Sequence, residues 1–358
     1  MATHEGTWDY RDRFHEQFAR TYFRPFGAFA VSSIGVGTYL GEPTDAADER
    51  YHEAVVEALE SGSNVIDTAI NYRHQRSERV VGRAIDDADV DRESVFLATK
   101  GGFLPFDGSR PDDPGRYLYE EFLAPGLVDR EELVAGQHCL APAFIDDQLD
   151  QSLDNLGVEQ LDLYYLHNPE TQLDERSRED VYDRLETTFE RLERRTADGD
   201  IGAYGVATWD AFRVPENDPN HLSFPEVIER AERAAATVGN DGCGFAAVQL
   251  PFNVSMADAF TTAAHDGKTA LAVANEHDLH VFTSASLMQG QLAEEMPARV
   301  EAELAGETRA QRAINFSRSA PAVTSALVGM GSPEHVEENL AAGTFQPMGA
   351  NAFDAVFE

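Results

Sequence analysis

SGSNVIDTAINYRHQRSERVVGRAI, residues 61–85, holds one complete unit of the fold. The apolar run NVID at 64–67 has the length and β-branched content of a buried strand, and SERVVGRAI from 77 repeats its apolar residues at helical spacing. A strand followed directly by a helix is the repeating piece of a parallel sheet. The same alternation recurs outward in both directions. Strand-like runs are SIGVG near 35, VFLAT at 95–99, LDLYYL at 161–166, AYGVA at 203–207, FAAVQL at 245–250, LHVFT at 279–283 and SALVG at 325–329. Helical patterns such as ADERYHEAVVEALE and PEHVEENLA fall among them. Eight strand–helix units predict an α/β fold, a closed (β/α)8 or TIM barrel. The rival is an open doubly wound sheet, which needs a GxGxxG turn after its first strand. GVGTYLG at 35–41 lacks the third glycine at the right place.

The reading is of a single barrel domain over 1–358, with three segments outside the eightfold count. These are an N-terminal extension at 1–30, a Pro/Gly/Asp-rich stretch at 102–141 that enlarges the loop after the third strand, and a C-terminal tail at 343–358. A connection from strand to helix emerges at the C-terminal face of a barrel, where active sites of this fold lie. The 102–141 stretch is therefore expected to act as a lid or substrate loop, the alternative being a solvated insertion with no contact to substrate.

Charge narrows the possible partners. Against 64 Asp and Glu the chain carries 28 Lys and Arg, a net charge of −36, and only two of the cations are lysines, Lys100 and Lys268. Such a surface repels nucleic acid and anionic membranes. The acids are spread along the chain instead of gathered in a tail, which favours a halophilic protein over an acidic docking surface. Multimolar salt would screen the self-repulsion, so the expected compartment is a high-salt cytoplasm. No run approaches the roughly 18 apolar residues of a membrane span. The opening MATHEGTWDYRDRFHEQF has no apolar core of a secretory signal. Cys139 and Cys243 lie far apart without ligand spacing, so neither a disulfide nor a metal site is expected.

The polar residues that end the early strands carry the chemistry. Asp67 ends NVID, Lys100 follows VFLAT and His167 follows LDLYYL, while Tyr72 sits on the loop five residues beyond Asp67. Closing a barrel brings such positions to one rim. Singly, Asp67 reads as a turn cap, Tyr72 as a half-buried aromatic and His167 as a structural histidine. Lys100 differs, because a chain nearly purged of lysine keeps one at the end of an apolar strand. A buried ammonium needs a carboxylate, and Asp67 is the candidate. Hydride arriving at a carbonyl carbon builds negative charge on oxygen and calls for a positioned proton donor. An ammonium beside a phenol lowers its pKa, so Tyr72 is read as the acid, Lys100 as its tuner, Asp67 as the anchor and His167 as the hydrogen-bonding guide of the substrate oxygen. Further along, VGMGSPEHVEENL at 328–340 reads as an anion site: Ser332 caps, Pro333 suits the first helical position, and free N–H groups attract a phosphate. A plain well-capped helix is the alternative.

In order and character GVGTYLG, SGSNVIDTAINYRHQRSERVVGRAI, VFLATKGG and SLDNLGVEQLDLYYLHNPE resemble the motifs of the aldo-keto reductase family over residues 31 to about 342. The family's catalytic quartet falls on Asp67, Tyr72, Lys100 and His167. The resemblance implies a nicotinamide cofactor, NAD or NADP, and a small carbonyl or alcohol substrate. It implies cofactor contacts at Gly37, Thr38, Thr208, Leu287, Gly329 and Gly331, with Gln249 holding the nicotinamide amide and Glu338 and Asn339 the adenine. Trp209, the insertion and the tail would supply substrate contacts. Three departures stand out. The insertion is longer than the family's usual connection, and Ser284 stands where a stacking aromatic is frequent. Gly329 and His335 occupy positions where phosphate-selective members carry Lys and Arg, which leaves NAD, NADP or dual use open.

Two other functions stay in view. A lysine on a barrel strand suits a Schiff-base aldolase, although an attendant carboxylate would keep Lys100 protonated and blunt it. A cofactor-binding barrel with little turnover is the other, motivated by Ser284. Nothing in the sequence specifies an oligomeric state.

Overall fold

The eight strand-like runs close on themselves in the structure, a computed structural model that describes residues 1–357. An antiparallel hairpin comes first, β1 (Phe23–Phe26) and β2 (Phe29–Ser32). The barrel strands follow: β3 (Ile34–Gly37), β4 (Val65–Asp67), β5 (Phe96–Gly101), β6 (Leu161–His167), β7 (Ile201–Ala207), β8 (Phe245–Pro251), β9 (His280–Ser284) and β10 (Val323–Gly329). All eight pair in parallel in chain order, and β10 returns to β3. The main outer helices are α1 (His4–Phe14), α2 (Asp45–Glu60), α3 (Arg76–Asp87), α4 (Pro142–Leu156), α5 (Arg178–Asp198), α6 (Phe224–Val238), α7 (Ala270–Glu276), α8 (Arg309–Ser319) and α9 (Pro333–Leu340).

Local signals explain where the helices start and stop. Thr44, Ser177, Ser223 and Ser332 each accept a backbone N–H from the first turn of α2, α5, α6 and α9. At Ser177 the bond is reciprocated by Asp180, completing a capping box. Helices α4, α5 and α6 end on Gly157, Gly199 and Gly239, each in the left-handed conformation that glycine adopts without penalty.

Alternation along the strands then sorts the two cores. Val65, Phe96, Ala98, Leu163, Tyr165, Ala247 and Phe282 point inward, and Ile66, Leu97, Tyr164, Leu166 and Val248 pack outward under the helices. Gly205 leaves room inside: a Cβ there would stand 2.0 Å from the Ala247 carbonyl oxygen and 3.2 Å from the Tyr165 ring. Continuing the inward set by two residues reaches Asp67, Lys100, His167 and Gln249 at the C-terminal rim. Fold and rim are thus one consequence of a period of two.

The three segments outside the barrel fold against it. In residues 1–30 α1 packs against β2, and the hairpin plugs the N-terminal end of the barrel, its second strand running past residue 30. Phe26 meets Phe96 at 4.6 Å and His280 at 4.2 Å between ring centroids, while Asn64 holds the hairpin through Ser32 N and Ala30 O.

Against the expectation of a lid, Phe103 is the one residue of 102–141 that borders the main cavity. Apart from His138, the rest, including a short helix at Pro114–Leu118, lies away from the cavity, with Phe122, Val128 and Val134 buried. Phe122 lies 5.9 Å from Phe144 of α4. No described residue of the tail walls that cavity either. Phe353 buries against Phe316 and Phe252, and Arg318 donates to the carbonyls of Ala342 and Phe345. None of the described helices is long and apolar enough to cross a membrane.

Candidate active site

A cavity of about 800 Å³ opens at the C-terminal rim and extends from the ends of β4 and β6 to helix α9. Asp67, Tyr72, His167 and Trp209 line it, as do Gly37, Thr38, Thr208, Gln249, Leu287, Gly329, Gly331, Glu338 and Asn339. Lys100 lies beneath its floor and is 0% exposed. The residues singled out from sequence are therefore brought to one place, from all eight barrel strands or the loops just past them and from α9.

At the floor, Lys100 Nζ donates to Asp67 Oδ2 at 2.6 Å and to the Thr68 carbonyl at 2.8 Å. The other Asp67 oxygen accepts from Gln249 Nε2 at 2.7 Å. One N–H of the Gln249 amide is thus given to Asp67, which leaves its carbonyl oxygen and second N–H for a ligand. The ammonium sits 4.8 Å from the centre of the Tyr72 ring. Tyr39 and His167 meet the same ring edge-on, at 5.0 and 5.7 Å between centroids.

The electrostatics differ from the sequence expectation in one respect. Burial raises the Tyr72 pKa; Lys100 pulls it down, Asp67 pushes it up, and the net direction is upward. Desolvation of the phenolate outweighs the neighbouring ammonium, so the hydroxyl is held protonated. Burial also opposes the charge on Lys100, but Asp67 and Tyr72 more than offset it and its pKa is raised. Asp67 is shifted upward by burial, against Lys100 and Gln249. The His167 pKa lies well below its usual value, through burial first and then Lys100 and His138, so the ring is neutral.

His167 is held from behind. His138, the buried end of the insertion, donates from Nε2 to the His167 carbonyl at 2.8 Å, and its Nδ1 faces Gln172 Nε2 at 2.7 Å. Gln172 Oε1 in turn accepts from Arg176 at 2.9 Å. Phe103 meets both rings edge-on, 4.8 Å from His138 and 5.2 Å from His167. Gly102, at φ +140°, makes this approach feasible: a Cβ there would lie 3.0 Å from the His167 carbonyl oxygen.

The remaining positions vary in how free they are. The Thr38 hydroxyl is engaged with Thr68 Oγ1 at 2.9 Å. Trp209 is 45% exposed, and its loop is fixed by Glu170, which accepts from the N–H groups of Trp209 and Asp210. At the start of α9, Ser332 caps His335 N and Pro333 takes the first position, as the sequence implied. Ser284 lines the cavity with Ala285, Ser286 and Leu287 beside it, so small and aliphatic side chains stand where a stacking aromatic was looked for. Sequence reasoning missed Ser286 and Arg50, both lining the cavity. The Ser286 hydroxyl is buried without a hydrogen-bond partner among the described residues. Its only sequence signal was proximity to Leu287, and Arg50 gave none.

The model of the aldo/keto reductase family matches residues 33–357. The chain belongs to that family. Among curated relatives it is 32% identical over 139 residues to glycerol 2-dehydrogenase (NADP(+)) of Saccharomyces cerevisiae, covering 39% of this chain and 30% of that one. It is 28% identical over 193 residues to NADH-specific methylglyoxal reductase of Escherichia coli, covering 52% and 51%. The chain thus spans about half, or less, of the length of these relatives. An aldo/keto reductase from Klebsiella pneumoniae solved with NADP and acetate superposes with a TM-score of 0.63 at 22% identity, over 94% of each chain. A glycerol dehydrogenase from Gluconobacter oxydans does so at 0.65 and 20%, over 94% and 93%. At these identities the likeness is one of fold.

Proposed function

We propose that this aldo-keto reductase is an NAD(P)-dependent oxidoreductase that reduces an aldehyde or ketone to an alcohol, or runs the reverse, with Tyr72 as general acid/base. The observation that carries the reading is the buried Asp67–Lys100 pair set 4.8 Å from the ring of Tyr72 at the floor of the cavity. The cavity residues fit a dinucleotide. The cavity volume suits an extended ligand, and the buried Ser286 hydroxyl, without a hydrogen-bond partner among the described residues, is a polar atom such a ligand would satisfy. Gln249 Oε1 and Thr208 would hold the nicotinamide end, Gly37, Thr38, Leu287 and Ser286 the middle, and Gly329, Gly331, Glu338 and Asn339 the adenosine. A bound nicotinamide would supply or accept the hydride. Curated relatives named for NADP and for NADH leave both dinucleotides in play.

The chain's own residues manage the proton. Tyr72, held protonated, donates from its hydroxyl to the carbonyl oxygen as negative charge develops there. Lys100 stabilises the phenolate left behind, and Asp67 keeps Lys100 charged and oriented. Neutral His167 offers an N–H to the same oxygen and fixes its direction. Trp209, Phe103 and Tyr39 would wall the substrate with apolar surface. An ammonium whose pKa is pushed up by two neighbours is a poor amine nucleophile, which weighs against a Schiff base at Lys100.

The net charge of −36 supports a partner range that excludes nucleic acid and a working place in a high-salt cytoplasm. Steady-state oxidation of NADH and NADPH with a panel of aldehydes and ketones in multimolar KCl tests the reading. Turnover with at least one pair is expected. Tight cofactor binding with no turnover across the panel would favour a regulatory barrel, and borohydride trapping of a carbonyl compound on Lys100 an aldolase.

A further inference from the structure

The cationic lining of the cavity is one side chain. Among the described residues that border it, Arg50 is the only lysine or arginine. It projects from α2, and α2 packs directly against α9, which contributes His335, Glu338 and Asn339 to the same cavity. The guanidinium is not drawn off by the acids of its own helix. Asp48 is taken by Arg73 and Arg76, and Asp45 by Arg76. Arg50 also acts on the hydroxyl of its neighbour Tyr51, a buried cavity-lining ring whose pKa burial raises and the positive charges of Arg73 and Arg50 draw down. Arg50 thus borders the cavity with no ion pair among the described residues.

On the reading above, hydride chemistry occupies the end floored by Asp67 and Lys100, so an extended dinucleotide must place its adenosine ribose at the α2–α9 end. We propose that Arg50 binds the 2′-phosphate of NADP(H), making it the residue that sets dinucleotide preference in place of charge missing from Gly329 and His335. A guanidinium matches a phosphate with paired N–H donors, and in a chain of net charge −36 Arg50 is the one Lys or Arg among the described residues that line this cavity. This inference rests on the cofactor reading of the cavity and is tested apart from turnover.

The experiment measures Kd values for NADPH, NADH, adenosine 2′,5′-bisphosphate and adenosine 5′-monophosphate by calorimetry at fixed KCl, for the wild type, Arg50→Ala and Arg50→Lys. Arg50 is exposed, so neither substitution opens the core. The wild type should bind the bisphosphate more tightly than the monophosphate. Arg50→Ala should weaken NADPH and the bisphosphate by about tenfold to a hundredfold, with little change for NADH and the monophosphate, and Arg50→Lys should restore part of the loss. Equal weakening of all four ligands would put the guanidinium on the shared 5′-phosphate and overturn the proposal, as would no change in any. Failure of the wild type to bind either dinucleotide would instead strike the cofactor reading, and this proposal with it.

Discussion

His138 shows how one buried residue connects folding to the site. It donates to the carbonyl of His167 and accepts from Gln172, so its neutral form is the one the fold uses. Burial pushes its pKa down to about 4. In the unfolded chain a histidine titrates near 6.5, so between those values the unfolded state binds more protons and stability rises with pH. The contribution is present above the unfolded value and is lost as pH falls to about 4, a difference of roughly 3 kcal/mol. Other groups titrate over the same range, so the informative quantity is the difference between wild type and His138→Gln. Denaturant unfolding in KCl at several pH values should show the wild type losing more stability than the variant between pH 6.5 and 4. Parallel curves would mean that His138 does not contribute this way.

The convergence of Asp67, Tyr72, Lys100 and His167 on one rim was legible because each ends an inward-facing strand or sits just past one, and because a buried lysine in a chain nearly purged of lysine needs a carboxylate. The direction of the Tyr72 pKa was not legible. It depends on how completely the phenol is desolvated, which no spacing in the sequence expresses.

At the scale of elements, the eight strands were legible because parallel strands buried on both faces read as short apolar runs between helices. The helix starts at Thr44, Ser177 and Ser332 carry their capping residue in the sequence. What escaped were elements defined by distant partners. FRPF and FAVS are each four residues long, and only the barrel floor formed by Phe96 and Phe282 makes a plug of them. The insertion was expected over the cavity because strand-to-helix connections emerge there. Its path depends instead on Phe122, Val128 and Val134 finding burial elsewhere, which draws it outward and leaves Phe103 and His138 as its links to the site. The tail follows the same logic through Phe353. Trp209 was placed correctly on its wall, but its anchor Glu170, in the LHNPE segment, was not read as one.

For the whole molecule the governing quantity is charge. Arginines are clustered with carboxylates on the surface: Arg230 contacts Glu179, Asp183, Glu186 and Glu226, and Arg195 contacts Asp146, Asp150 and Asp200. With 64 acids and 28 Lys and Arg, most carboxylates still have no cation, and their mutual repulsion opposes compaction. The Debye length falls from about 10 Å at 0.1 M salt to about 3 Å at 1 M, so KCl should remove much of that repulsion. The thermal midpoint should rise with KCl well beyond the rise produced by sucrose, which stabilises without screening. Full stability in dilute buffer would count against a halophilic protein. Within that envelope the proposed chemistry centres on a phenol backed by the buried Lys100. Tyr72→Phe tests this most directly, with the hydride-transfer rate and the cofactor Kd measured on the same protein in multimolar KCl. The rate should fall by about 10²–10⁴-fold while the Kd stays near the wild-type value; a variant that reduces carbonyls at the wild-type rate would contradict the account.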